Sequence, residues 1–256
     1  MTAMTSSDQT GSTALVTGAS TGFGRAIASA MHAAGADVVA VARSTGRLAS
    51  LGDELGTEPG GTFTAVVADV TDPVVAGSLI EQYRPDTLVL NAGAAPLLRP
   101  LQDHTWETFS RNWDVDVRQA FHWIREALLL PLQPGSTVVA MSSGAAVAGS
   151  PLSGGYAGAK ATIRFITGYA AEESGRAGLG IRFISLLPRL TPATDLGSMA
   201  VAAYARRDGI SVDAYLERFG PGLTAEDVGR TTLDMVASPE YASGAYLLTT
   251  AGVSSL

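Results

Sequence analysis

The sequence predicts an α/β protein: a doubly wound, seven-stranded parallel sheet with helices on both faces. Three observations carry this. Short apolar runs alternate with helix-forming segments along the chain. The runs are apolar at nearly every position, as in strands covered on both faces. Glycines cluster directly behind the first run, where such folds turn from strand into helix.

Residues 13–17 form the first strand, and the turn behind it leads into an alanine-rich helix over 25–34 that Gly35 stops. The second strand, 36–42 (ADVVAVA), closes a βαβ unit. Further strands fall at 62–68, 87–90, 136–141, 181–187 and 244–249, with helices over 73–83, about 103–130, 154–176 and 225–237. Residues 194–219 read as helical pieces broken at Asp208-Gly209, with a further break at Gly220-Pro221-Gly222. This region, 194–222, is either a cover over the carboxyl ends of the strands or a plain pair of surface helices. No linker or internal repeat divides the chain, so 12–256 reads as one domain of 256 residues less a loose, polar leader at 1–11 that lacks the features of a signal peptide.

With 24 acidic and 17 basic residues the formal charge is −7, and no basic run could track a phosphate backbone, which argues against nucleic acid. A dinucleotide needs only a local site and stays compatible. The chain has no cysteine, hence no disulfide, no thiolate nucleophile and no cysteine metal site, which fits a reducing, cytoplasmic location. The longest apolar runs, 38–42 and 127–132, fall far short of the roughly 18 residues a membrane span needs. His32, His104 and His122 show no metal-ligand spacing and all fall in expected helices.

The segment Thr17-Gly18-Ala19-Ser20-Thr21-Gly22-Phe23-Gly24 joins first strand to first helix. Glycines there let backbone N–H groups and the helix N-terminus approach a pyrophosphate, although the same glycines would serve a plain turn. An NAD site places an acid at the end of the second strand; here the chain reads Ala42-Arg43-Ser44. Arg43, assisted by Ser44, is suited to a 2′-phosphate, which favours NADP(H) over the alternative of a solvated arginine at a helix start. Asp69 and Val70 after the third strand can meet the adenine, with Asp72 the better helix cap before Pro73. Asn91-Ala92-Gly93 allows a loop to lie close to the cofactor or forms an ordinary turn.

Tyr156 and Lys160, four residues apart, share one helix face. An ammonium beside a phenol favours the phenolate and makes the group usable as an acid or base, and Ser143 supplies a second hydroxyl for the substrate oxygen.

In these motifs the chain resembles the short-chain dehydrogenase/reductase family, classical type, along essentially its whole length. The resemblance implies a single Rossmann-type domain assembled as a homotetramer or homodimer. It assigns Gly18, Gly22 and Gly24 to the cofactor turn, Asp69 and Val70 to the adenine, and Asn91, Ala92 and Gly93 to the structural loop. Ser143, Tyr156 and Lys160 become the catalytic residues, with Lys160 also bonding the nicotinamide ribose. Pro188 matches the family's Pro-Gly, but Arg189 replaces the glycine. The threonine expected five residues on is Ala193, with Thr191 and Thr194 the nearest candidates. The family's catalytic asparagine, which helps hold a water linking the lysine to solvent, aligns with Asp116. A carboxylate there accepts but cannot donate when ionised, and it would stabilise the charge of Lys160. The chain end, Thr250-Ala251-Gly252, also departs from the family's acidic residue before two glycines.

The expected function is NADP(H)-dependent interconversion of carbonyl and alcohol on a largely apolar small molecule. The expected pocket wall is apolar: Ala94, Ala95, Pro96, Val147, Leu152, Leu187, Leu190 and Met199, with Tyr204 at its rim. Two alternatives stand beside it. One is a cofactor-binding scaffold or regulatory protein with weak or lost turnover, motivated by Asp116, Arg189 and the chain end. The other is an epimerase or dehydratase that keeps its cofactor.

Overall fold

The computed structural model describes residues 7–218 and 222–256. Its strands are β1 (Thr13–Thr17), β2 (Asp37–Ala42), β3 (Phe63–Val67), β4 (Thr87–Leu90), β5 (Thr137–Met141), β6 (Arg182–Pro188), β7 (Gly244–Thr249) and β8 (Gly252–Ser255). They form one sheet ordered β3-β2-β1-β4-β5-β6-β7-β8. The seven expected strands pair in parallel, so the doubly wound fold is as predicted. An eighth strand extends the sheet antiparallel to β7, with Thr249 opposite Gly252 across a tight turn. Its sequence, GVSS, carries one apolar residue and so gives no strand pattern.

Successive strand residues face opposite sides and build two cores. Val16, Val38, Val139 and Ile184 meet Ile27 and Met31 of α1 (Gly22–Ala33), Leu48 and Leu51 of α2 (Thr45–Leu55) and the later α10 (Ala225–Ala237). Their neighbours Leu15, Val39, Val138 and Phe183 meet α3 (Pro73–Tyr83) and two longer helices described next. Chain order reverses at β1, whose partners are β2 on one side and β4 on the other, and this opens a crevice at the carboxyl ends of the strands.

The single helix expected over 103–130 is instead a 3₁₀ turn (Leu101–Asp103), α4 (Trp106–Asn112), a π turn (Trp113–Val117) and α5 (Arg118–Leu129). The local reason is a pair of bonds to one residue: Asn112 Nδ2 donates to Ala94 O at 2.7 Å, and Ala94 N donates to Asp116 Oδ1 at 2.8 Å. The wider turn lets side chains on both sides of it reach the same strand end. His104 precedes α4 and is not helical, and its Nδ1 lies 3.2 Å from Thr108 Oγ1.

After α6 (Ala145–Ala148), α7 (Tyr156–Ala177) starts two residues later than expected. A Cβ on Gly155 would lie 2.3 Å from Phe109 O, so only glycine lets this helix begin against α4. The break at Asp208-Gly209 falls where expected, with Gly209 at φ +67° closing α8 (Asp195–Asp208) before α9 (Val212–Glu217). Phe219 at the end of the helical pieces, Gly220 and Pro221 of the second break, and residues 1–6 of the leader lie outside the described residues. Leader residue Gln9 is tied to the end of α1 through its N–H to Ala34 O at 2.7 Å.

Candidate active site

The crevice is a cavity of about 1010 Å³. At one end β1 runs into the glycine turn, where Gly18 N donates to Val41 O at 2.8 Å. Ser20, Thr21, Gly22 and Phe23 line the cavity, whereas Gly24 sits behind its wall. A Cβ on Gly24 would stand 2.2 Å from Gly18 O and 2.4 Å from Asn91 Nδ2, so this glycine serves close packing of α1 on the turn. Thr21 is the N-cap, yet its side chain makes no capping bond and the first turn holds no acid. The leading N–H groups of α1 thus meet no carboxylate, which suits an anion. Asn91 straps the turn to β4, its Nδ2 donating to Thr17 O at 3.2 Å and Gly18 O at 3.3 Å, with Ala92 and Gly93 on the cavity wall beyond it.

Arg43 and Ser44 line the cavity at the end of β2. Ser44 is the N-cap of α2 and accepts from Arg47 N at 3.4 Å, which leaves its hydroxyl proton for an acceptor. Arg47, one turn along, adds a second guanidinium to the wall that the sequence reading missed. The spacing Ser44-x-x-Arg47 at a helix start was the available signal. Across the crevice Asp69 accepts from Thr71 N at 3.0 Å and Thr71 Oγ1 at 2.8 Å. These bonds hold its carboxyl below the usual 3.8 against the opposing effect of burial, with the charges of Arg43 and Arg118 adding to them. Val70 O accepts from the buried Trp123 Nε1 at 2.9 Å, anchoring this loop, and Asp72 caps α3 as expected.

At the other end Tyr156 opens α7 and Lys160 follows one turn later, its Nζ 5.6 Å from the Tyr156 ring centre. Ser142 Oγ donates to Lys160 O at 2.7 Å and so fixes α7 to the end of β5. Ser143 comes next, its Oγ accepting from Ala145 N at 3.2 Å. Lys160 Nζ donates to Met141 O at 3.1 Å and lies 3.1 Å from Asp116 Oδ2. Both partners are buried, at 6% and 1% exposure. Burial opposes the lysine charge, but the Asp116 carboxylate, Tyr156 and the hydrogen bond to Asp116 outweigh it, and the net effect raises its pKa above 10.5. The carboxylate at position 116 contacts the ammonium directly.

Ala94, Ala95, Pro96, Leu190, Met199 and Tyr204 line the remaining cavity as expected. Three expected wall residues do not: Val147 faces solvent, while Leu152 and Leu187 are packed into the interior. Pro188 accepts from Gly144 N at 2.9 Å. Thr191 and Thr194 are on the wall with hydroxyls engaged locally, Thr191 donating to Arg189 O at 3.1 Å and Thr194 capping α8 through Gly197 N at 3.1 Å. Tyr215 and Ser150 are lining residues that sequence reasoning missed. Tyr215 stacks on Tyr204 at 6.2 Å, and Tyr204 Oη lies 2.7 Å from Ser150 Oγ.

A model of the short chain dehydrogenase family matches residues 12–204. The chain belongs to that family. This short chain dehydrogenase is 34% identical over 166 residues to "Carbonyl reductase [NADPH] 2" of Sus scrofa, a match covering 63% of this chain and 65% of that protein. It is 31% identical over 252 residues to "L-rhamnose 1-dehydrogenase (NAD(P)(+))" of a Sphingomonas species, covering 95% and 96%. Among solved structures, a putative NAD(P)-dependent gluconate 5-dehydrogenase from Beutenbergia cavernae with bound NADP superposes with a TM-score of 0.73 at 30% identity, covering 88% of this chain and 89% of that one. Among the described residues no helix is long and apolar enough to cross a membrane.

Proposed function

We propose that the protein is an NADP(H)-dependent oxidoreductase interconverting carbonyl and alcohol on a small molecule. The observation that carries this reading is the convergence of Ser143, Tyr156 and Lys160 on the cavity that also holds the glycine turn.

The residues fit a phosphorylated dinucleotide. The uncapped start of α1 would take the pyrophosphate, and Arg43, Arg47 and the Ser44 hydroxyl, all on the cavity wall, would hold a 2′-phosphate. Asp69 and Val70 would border the adenine. The 2′-phosphate reading draws support from the NADP-bound relative and from the NADPH named for the porcine one. When bound, NADPH supplies the hydride that adds to the carbonyl carbon. Ser143 donates a hydrogen bond to the substrate oxygen and orients it. As the carbon–oxygen π electrons move onto that oxygen, Tyr156 Oη gives it a proton, and Lys160 stabilises the phenolate left behind. Oxidation runs the same steps backwards. Asp116 holds Lys160 charged and in place.

Helices α8 and α9 serve as the substrate cover, since Met199, Tyr204 and Tyr215 form one side of the cavity. The protein works as a homo-oligomer in the cytoplasm. Exposed Trp106, Phe121, Phe165 and Tyr169 on α4, α5 and α7 support self-association, and the absence of cysteine supports the compartment.

The test is NADPH consumption over a panel of ketones and aldehydes with wild type and Tyr156→Phe. The variant keeps the ring and loses the proton-carrying oxygen, so kcat falls by at least ~100-fold while NADPH affinity stays near wild type. Undiminished turnover by the variant refutes the role of Tyr156, and cofactor binding without consumption on any carbonyl favours the scaffold reading.

A further inference from the structure

The cavity wall carries four cations, and three of them are accounted for. Arg43 and Arg47 stand at the nucleotide end, and Lys160 is paired with Asp116. Arg189, on the wall beside Ser143 and Gly144, is the fourth.

Its backbone is fixed on both sides: Arg189 N donates to Leu248 O at 3.0 Å, and Arg189 O accepts from Thr191 Oγ1 at 3.1 Å. The preceding carbonyl, Pro188 O, holds Gly144 N at 2.9 Å. A Cβ on Gly144 would lie 3.4 Å from Arg189 Cγ and 3.5 Å from its Cα, so the arginine stem packs against the residue next to Ser143. Among the described residues no carboxylate lies within ion-pair distance of its guanidinium and no acceptor bonds it. The same cavity is lined by apolar Leu190, Met199 and Ala94 to Pro96, and by polar Thr191 and Thr194 and the Asp195 carboxylate, which forms no ion pair with Arg189. A chain with a net charge of −7 thus presents an unpaired, exposed planar cation in this cavity, packed against the residue next to Ser143.

We propose that Arg189 receives a carboxylate on the substrate, which makes the substrate class oxo acids and the corresponding hydroxy acids. This rests on the carbonyl–alcohol reading above. A guanidinium binds a carboxylate through two parallel hydrogen bonds, and that fork fixes orientation as well as affinity. With the acid at Arg189 and the apolar body along Leu190 and Met199, the carbonyl is turned toward Ser143 and Tyr156. Reduction of the oxo acid consumes one NADPH and one proton and leaves the carboxylate unchanged.

The probes are phenylglyoxylate, benzoylpropanoate and benzoylbutanoate, each against its methyl ester. Two readouts are taken on the full-length protein: NADPH consumption, and calorimetric binding to the NADP⁺-loaded protein, which needs no turnover. At least one acid is preferred over its ester, and Arg189→Met lowers that acid-to-ester ratio by ~10- to 100-fold, the worth of a charge-assisted contact. Arg189→Lys, which keeps the charge without the fork, restores part of it. Equal binding of every acid and its ester by wild type overturns the proposal. So does a loss in Arg189→Met that falls equally on acid and ester and tracks weakened NADPH binding, because the anion served is then the cofactor's. An acid preference in binding without consumption of NADPH on any probe supports the carboxylate site and counts against the oxidoreductase reading instead. Melting curves confirm that both variants fold.

Discussion

Replacing Asp116 with asparagine removes one charge and almost no volume, and the structure sets what that costs. Lys160 Nζ and Asp116 Oδ2 are 3.1 Å apart. With an effective dielectric of ~20, two unit charges at that distance attract by about 5 kcal/mol. Desolvation of both groups offsets much of this attraction, and an amide oxygen still accepts from Ala94 N or from the ammonium. A net loss of about 1–3 kcal/mol remains, which in a domain of this size lowers Tm by roughly 3 to 10 °C. Because the folded-state pKa of Lys160 is raised above 10.5, the contribution of its charge is complete below that pH and is lost as pH climbs through the folded value. The Tm gap between wild type and Asp116→Asn therefore stays level across neutral and mildly alkaline pH and closes above it. In the pH–rate profile for carbonyl reduction, the alkaline limb moves to lower pH, since the lysine loses the carboxylate that favours its charge. Turnover at neutral pH is kept or raised. Melting curves from neutral to strongly alkaline pH and a profile under saturating NADPH measure both effects. Superimposable melting curves and superimposable profiles refute the reasoning.

Arg43→Ala removes a charged contact to the 2′-phosphate and weakens NADPH binding by ~10- to 100-fold while NADH binding barely changes; fluorescence titration of the two cofactors checks this, and equal losses for both contradict it. Gly24→Ala puts a methyl 2.2 Å from Gly18 O, a backbone atom that cannot swing away, so the variant loses both cofactor affinity and thermal stability. A Gly24→Ala protein with wild-type Tm and Kd shows that the turn yields more easily than its packing implies.

The parallel strands were readable because their sequences are apolar at nearly every position, even in the largely exposed β3, and the pairing of Tyr156 with Lys160 because helix spacing alone brings residues 156 and 160 onto one face. Most of what escaped has no local signature. β8 holds a single apolar residue and exists through its pairing with β7. The π turn sits inside a continuously helical pattern and is set by bonds from Asn112 and Asp116 to Ala94, eighteen and twenty-two residues away. Val147, Leu152 and Leu187 are the kind of residue a pocket wall uses, but whether such a side chain faces cavity, core or solvent depends on the neighbours packed around it. Arg47 is the exception, since its spacing from Ser44 at the start of α2 was a local signal that went unread.

The π turn has a consequence for how this segment can change over generations. An α-helix advances about 100° per residue, and a π turn holds one residue more than the α turn it replaces. Deleting a single residue between 113 and 117 would let the helix rewind as α while α4 and α5 keep their faces, because the π turn absorbs its extra residue within one revolution. What changes is the spacing inside the turn, where Asp116 accepts from Ala94 N and faces Lys160 Nζ. Point substitutions at the solvent-facing positions of the turn leave its length intact. Exchange of exposed residues and loss of one residue are therefore different events for this segment: the first leaves the turn as it is, and the second removes the turn and re-spaces the residues that set Asp116 against Lys160.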